Sequence, residues 1–133
     1  MPVRGVDEAV FTVNQLVAMN LVIARTLKGW KQVQAAEALE PYLGTRWSRA
    51  SYSAAERSFT NPQRVRQFTA DELVAFAAAF DVPVQFFFRP PSRGDATDVR
   101  VAMSGASAGL ELHLADYVRA AFGSEEGARR LEA

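Results

Sequence analysis

Between residues 12 and 88 the chain is divided into short segments in which apolar residues recur at intervals of three and four. That spacing places apolar side chains on one face of an α-helix. Residues that stop a helix separate these segments, namely Gly29, Pro41 and the pair Asn61 and Pro62. The chain is therefore predicted to form a bundle of short helices that share one core.

Start and stop signals give bounds for the first two helices. Thr12 and Gln15 fit a capping box, in which two side chains satisfy the free N–H groups at a helix start. The first helix is expected to follow this box and to end near Gly29. The second is expected over residues 31–39, because Pro41 should prevent its continuation.

Two further helices are predicted in the same way. Ser48 is a suitable N-cap for a third helix over residues 49–57. Thr69 and Glu72 fit a second capping box, which begins a fourth helix that is expected to end near Asp81. One more helical turn is expected directly after it.

The remainder of the chain has a different composition. Residues 1–89 are predicted to hold the helical domain, with its core at about 12–88. Residues 90–109, rich in proline, glycine and charge, are predicted to be a linker in which VRVAM could be a short strand. Residues 110–133 are predicted to form an amphipathic helix and a tail. The predicted fold class is all-α, a compact domain of four to five helices with a C-terminal extension that carries one further helix.

The net charge is zero, but the charges are unevenly distributed. Between Gly44 and Phe68, five arginines stand against one glutamate, a local net charge of +4. From Asp95 to the end, seven acidic residues stand against four arginines, a net charge of −3. The basic middle predicts a surface for an anionic partner, and the acidic tail predicts a separate segment that is solvated or contacts another partner.

Several functional classes find no support in the sequence. There is no cysteine, so no disulfide or thiolate site can form. The single histidine, His113, has Asp116 at helical spacing but no nucleophile with it, and SGASAG lacks the lysine of a phosphate-binding loop. We therefore predict no enzymatic activity, no metal site and no cofactor. No signal peptide or membrane-length apolar run is found, which predicts a cytoplasmic protein.

Four stretches of the sequence carry a family resemblance. Arg25 stands four residues before Gly29, and GWKQVQAAEAL, SRASYSAAERS and FTADELVAFAAAFDVPVQFFF begin at Gly29, Ser48 and Phe68. Together they resemble the phage-repressor-like (XRE-type) helix-turn-helix family of transcriptional regulators, in a layout associated with actinobacterial members. The resemblance covers about residues 13–88. It implies a repressor-like domain that binds double-stranded DNA, most simply as a homodimer.

The resemblance also implies roles for single residues. Arg25 and Glu56 are expected to form a partly buried structural ion pair. The third helix is expected to lie in the major groove as the recognition helix. Base contacts are implied for Arg49, Ala50, Ser51, Ser53 and Ala54. Phosphate contacts are implied for Lys31, Gln32, Arg46, Ser48, Arg57, Arg64 and Arg66.

Side-chain chemistry ranks the candidate base readers. A guanidinium group can donate two hydrogen bonds to O6 and N7 of guanine, so Arg49 is the principal candidate. Ser51 and Ser53 can donate to a base or a phosphate. Ala50 and Ala54 can only touch a thymine methyl group or permit a close approach. Base readout is therefore predicted to be sparse, with flanking arginines supplying much of the affinity.

Two departures from the family pattern keep an alternative open. The connection EPYLGTRW is several residues longer than in compact members; Tyr42 and Trp47 are expected to anchor it in the core, or it projects Arg46 toward DNA. Ala54 stands where a long polar reader is common. The alternative is a helix-turn-helix protein-interaction module, or an antitoxin-type regulator with weak DNA reading. The C-terminal segment is expected to serve dimerisation or to bind a protein partner or effector.

Overall fold

The computed structural model describes residues 8–91, 98–103 and 111–132. Most of these residues are helical, but three strands form a small sheet, so the prediction of an all-α fold was wrong in that respect. The described residues divide into two compact units. Asn14–Arg89 forms one, here called the helical unit, and the described residues before Asn14 and after Arg89 form the other, here called the mixed unit.

The helical unit consists of short helices joined by brief connections. Their bounds are α1, Val13–Lys28 (helical unit from Asn14 onward); α2, Gln32–Leu43; α3, Arg49–Arg57; α4, Ala70–Phe80; and a 3-10 helix, Val84–Phe88. The 3-10 helix is the extra helical turn expected after the fourth helix. The order of helices along this unit is therefore the one predicted.

Side-chain caps fix the starts of α3 and α4. The Ser48 hydroxyl accepts a hydrogen bond from the backbone N–H of Ser51 at 3.0 Å. Thr69 and Glu72 form the predicted capping box, since each side chain accepts from the backbone N–H of the other residue. Asp81, with a φ of 57°, ends α4 in the left-handed region. Both helices begin where the sequence predicts.

The second helix runs past its predicted end. Pro41 lies inside the last turn of α2, where its missing N–H removes one helical hydrogen bond. The helix nevertheless continues to Leu43, and then Gly44 takes a φ of 75° and donates its N–H to the carbonyl of Glu40 at 2.9 Å. Pro41 thus weakens the last turn without ending the helix before it.

Aromatic side chains dominate the core of the helical unit. Phe76 is fully buried and packs edge-on against Trp47 and Phe68, with ring centroids 5.9 and 5.7 Å away. Each such pair adds roughly 0.5 to 1.5 kcal/mol beyond burial of its area. Trp47 is therefore a core anchor, as expected. Tyr42 is 56% exposed, so its predicted anchoring role was wrong. It lies in the last turn of α2, at the rim of a depression that it lines together with Asp71 and Val74 of α4.

The mixed unit is built on a three-stranded sheet in the order β1-β2-β3. Strand β1, Glu8–Thr12, is parallel to β2, Asp98–Ala102, and β2 is antiparallel to β3, Glu111–His113. In β2, Val99 and Val101 are buried and alternate with partly exposed residues, as in a strand with one covered face. Strand β2 corresponds to the short strand expected at VRVAM.

Two helices complete the mixed unit: α5, Leu114–Phe122, and α6, Glu125–Glu132. The predicted final helix therefore starts later than expected, because residues 111–113 pair with β2 instead. Gly123, with a φ of 92°, ends the helix at Phe122, where the sequence predicted its end. The helix α6 was not predicted, because residues 123–133 were expected to be a tail. Residues 92–97 and 104–110, which hold most of the predicted linker and Leu110, lie outside the described residues.

In the described ranges, no helix combines the length and the apolar character that crossing a bilayer requires.

Candidate nucleic-acid interface

The outward face of α3 carries most of the residues predicted to contact bases. Tyr52, Ala55 and Glu56 are buried and turn one side of α3 toward the core. The opposite side is formed by residues three and four apart, which share a helix face. Its members are Arg49, Ala50, Ser53, Ala54 and Arg57, all exposed except the half-buried Ser53.

Three shallow depressions adjoin this face. The first, of about 400 Å³, is lined by Arg25, Lys31, Gln32, Val33 and Arg49. The second, of about 390 Å³, is lined by Gln32, Arg49, Ala50, Ser53 and Arg57. The third, of about 180 Å³, is lined by Ala54, Arg57, Asn61 and Arg64. Neighbouring depressions share residues, so together they make one continuous surface, here called the arginine surface, and none of these lining residues is acidic.

The arginines of the described chain differ in whether a carboxylate binds them. Those in ion pairs are Arg25, Arg46, Arg66, Arg100, Arg119, Arg129 and Arg130. Arg89 lies over the ring of Phe86. Arg49, Arg57 and Arg64 form no ion pair with any described residue, and all three lie on the arginine surface. A guanidinium group has five N–H donors, and in these three arginines no carboxylate of a described residue occupies them, so they can bind water or an anion.

Beneath the arginine surface, Arg25 and Glu56 form the ion pair expected from the sequence. The Arg25 Nε and Nη2 atoms donate to Glu56 Oε2 at 2.6 Å and to Oε1 at 3.0 Å. The two side chains are 20% and 7% exposed. The hydrogen bonds that Arg25 donates to Glu56, and the negative charge of that carboxylate, raise the pKa of Arg25. This bidentate pair fixes the end of α3 to α1.

Gln32 and Trp30 extend this network to the start of α2. The Gln32 Nε2 atom donates to Glu56 Oε1 at 3.0 Å, and Arg25 Nη1 donates to the Trp30 carbonyl at 3.0 Å. Burial and then the charge of Glu56 raise the pKa of Tyr52, on the same helix. Gln32 was predicted to contact phosphate, but its side-chain nitrogen has a partner inside the unit. Gln32 also lines the first and second depressions, so it lies on the arginine surface between them.

Arg46 and Arg66, both predicted to contact phosphate, lie elsewhere. Arg46 forms an exposed ion pair with Glu40 at 2.9 Å. Arg66 donates to Glu72 at 2.7 Å, and its guanidinium group lies over the Trp47 ring, 4.3 Å from the ring centroid. Neither residue lines the three depressions. The charge count included them because a sequence does not show which arginines are bound by carboxylates of the same chain.

The remaining predicted residues lie at the starts of α2 and α3. The Ser48 hydroxyl donates to that of Ser51 at 3.1 Å while capping α3, so both hydroxyl groups belong to the cap. Lys31 precedes α2 and lines the first depression, and its backbone N–H donates to Gln34 Oε1 at 2.7 Å. The Lys31 ammonium group forms no ion pair with a described residue, so its three donors are available to an anion at this depression.

Comparisons of this chain with protein-family models, with curated proteins and with solved structures found no match. In the part of the chain that the structure describes, no cluster of three or more histidine and acidic side chains could hold a metal ion. A function is therefore inferred from the arginine surface itself.

Proposed function

We propose that the helical unit binds double-stranded DNA, with α3 in the major groove, and that the protein regulates transcription. One observation carries this proposal. Arg49, Arg57 and Arg64 lack carboxylate partners among the described residues and share a single surface with the exposed face of α3. An unneutralised arginine cluster beside an exposed helix favours an anionic, grooved partner over a small molecule.

An α-helix with its side chains is about 10 to 12 Å across, which fits a major groove about 12 Å wide. The nine residues of α3, at about 1.5 Å each, would extend roughly 13 Å inside it. Arg49 is the first residue of α3, the end at which recognition helices contact bases. Arg57 and Arg64 lie at and beyond the other end, where phosphate contacts would fix the position of the helix.

The start of α2 supports a further phosphate contact. The first N–H groups of a helix have no partner within it, and the helix dipole favours an anion there. Lys31 and Gln32 occupy this end of α2 and line the first depression together with Arg49. The starts of α2 and α3 therefore lie around one concave region, so a single DNA strand could contact both.

The family resemblance suggests how the protein would assemble on DNA. Repressor-like proteins bind paired half-sites as dimers related by a two-fold axis. We accordingly propose a homodimer and a site with two-fold symmetry. The mixed unit is available for the dimer contact or for a protein partner or effector.

A protein-interaction module, including an antitoxin-type regulator, remains the second candidate function. One feature of α3 favours it: Ala50, Ser53 and Ala54, between Arg49 and Arg57, are all short. Such a face could fit an acidic protein surface. That partner would bind through the same arginines. The two functions therefore differ in one measurable property, which is whether the arginine surface binds duplex DNA.

A matched pair of triple variants tests the DNA proposal. R49Q/R57Q/R64Q removes the three unpaired arginines, and R119Q/R129Q/R130Q removes equal charge from exposed ion pairs of the mixed unit. Fluorescence anisotropy with a labelled random-sequence duplex at low salt should show lost binding for the first variant and wild-type binding for the second. Equal losses in both variants, or binding that survives R49Q/R57Q/R64Q, would contradict the proposal.

A further inference from the structure

The middle of the α3 face carries no long polar side chain, and the short hydroxyl of Ser53 is its one hydrogen-bonding group. Between Arg49 and Arg57 the outward residues are Ala50, Ser53 and Ala54, and the two alanines are exposed. They are four residues apart, so their methyl groups lie on one face, roughly 6 Å from each other. The centre of the face is therefore a pair of exposed methyl groups between two arginines.

Each alanine methyl group also lines a depression. Ala50 lines the one of about 390 Å³ between Arg49 and Arg57. Ala54 lines the one of about 180 Å³ beside Arg57 and Arg64. Because these side chains are so short, the edge of a base pair can approach the helix to van der Waals distance. A projecting group on the base would then enter the depression.

Only one projecting apolar group is available in the major groove. The methyl group at C5 of thymine lies there, and the other standard bases present hydrogen-bond donors and acceptors. A 5-methylcytosine carries a methyl group at the same ring position. An alanine methyl group gains from contact with such a group and gains nothing from a donor or an acceptor.

We infer that α3 recognises the 5-methyl groups of pyrimidines, in thymine or in 5-methylcytosine, through Ala50 and Ala54. This inference rests on the DNA-binding function proposed above and specifies which DNA that surface selects. Arg49 directly precedes Ala50, so a guanine bound by Arg49 and a neighbouring 5-methylpyrimidine would be contacted by adjacent residues. Selection at the centre of the site thus depends on apolar contact.

The test begins with a duplex selected from a random library by the full-length protein. Each thymine is replaced in turn by uracil, which removes only the methyl group. At the positions under Ala50 and Ala54 the affinity should fall about fourfold, the value expected for one buried methyl group. In a second series each of these T·A pairs becomes C·G or 5-methyl-C·G, and the methylated form should bind about fourfold more tightly than the unmethylated form.

Glycine variants connect the effect to the two alanines. A50G and A54G remove one methyl group each and should abolish the difference between thymine and uracil at one position each. A78G, at an exposed alanine of α4, carries the same helix-destabilising change and should leave that difference intact. The uracil series on the wild-type protein does not depend on any variant folding.

Methyl recognition and DNA binding fail by different results. Equal affinity for thymine and uracil at every position of a bound duplex would overturn methyl recognition and leave DNA binding standing. A loss with uracil that is not matched by tighter binding of 5-methylcytosine than of cytosine would confine the effect to thymine, which contradicts recognition of the methyl group in either pyrimidine. Failure to bind any duplex would overturn the proposed function itself.

Discussion

Arg66 lies over the ring of Trp47, with 4.3 Å between its guanidinium carbon and the ring centroid, and donates to Glu72 at 2.7 Å. Its backbone N–H donates to the buried hydroxyl of Ser58 at 2.9 Å. Arg66 therefore joins three parts of the helical unit: the connection before α3, the residue after α3 and the first turn of α4. Its charge is used inside the fold, in contrast to the exposed Arg64 two residues earlier.

This contrast predicts opposite results for two similar substitutions. R66Q should lower the free energy of unfolding by about 1 to 2 kcal/mol, because a cation–π contact and a partly exposed ion pair are lost. R64Q should leave stability unchanged and weaken binding to all duplexes alike, with the slope of log K against log salt falling by about 1. Urea denaturation and DNA titration measure the two effects. A smaller slope of log K against log salt in R66Q would show that Arg66 contacts phosphate after all, and would contradict this prediction.

Breaking the Arg25–Glu56 pair should cost much more than breaking an exposed pair. E56A leaves the largely buried Arg25 charge without its partner, which should lower the free energy of unfolding by roughly 3 to 5 kcal/mol. E40A breaks the exposed pair with Arg46 and should cost less than about 1 kcal/mol. Tryptophan fluorescence during urea denaturation reports on this unit, since Trp30 and Trp47 both lie in it. Similar costs for the two variants would be inconsistent with a buried pair.

Asn20 is expected to be intolerant of a negative charge. It is fully buried, and its amide nitrogen lies 2.9 to 3.1 Å from the carbonyl oxygens of Leu16, Phe87 and Arg89. N20L would leave these carbonyls without that donor, at a cost of about 1 to 3 kcal/mol. N20D would add a carboxylate facing them and should cost more, whereas N61D at an exposed position should cost little. Thermal or urea unfolding would rank the three variants, and equal stability of N20L and N20D would refute the expectation.

Tyr117 makes the stability of the mixed unit depend on pH in the alkaline range. Burial raises its pKa from 10.0 to about 12. The unfolded chain then loses this proton at a lower pH than the folded chain. The stabilisation is therefore complete below about pH 10 and is lost as the pH rises toward 12, a change on the order of 1 to 3 kcal/mol. Urea unfolding followed by circular dichroism should show a shallower alkaline loss in Y117F, and identical profiles would contradict the assignment.

Local signals account for the parts of the fold that the sequence predicts well. The caps at Ser48 and Thr69 act within three residues, so the starts of α3 and α4 follow from the sequence directly. The Arg25–Glu56 pair spans 31 residues, and it was expected only because the segments around it resemble a known family.

The missed features depend on contacts between distant segments. Strand β1 pairs with β2 about 90 residues further along, and nothing near Glu8 shows that such a partner exists. Arg46 and Arg66 looked equivalent to Arg49 and Arg64, because a charge count does not distinguish an arginine bound by a carboxylate from a free one. Tyr42 was expected in the core because it is a large aromatic residue. Its exposure depends on which face of α2 packs on α4, and the sequence does not show that face.

The salt dependence of duplex binding tests the central proposal most directly. Arg57, Arg64 and Lys31 are assigned to phosphates, and Arg49 would add a fourth positive charge within the groove. One protomer should therefore give a slope of log K against log salt of about −3 to −4. The measurement is an anisotropy titration of a labelled duplex over a series of salt concentrations, with the slope divided by the number of bound protomers. A slope in that range, reduced in R49Q/R57Q/R64Q, is the predicted result. A slope near zero, or no binding at the lowest salt, would contradict DNA recognition by this surface.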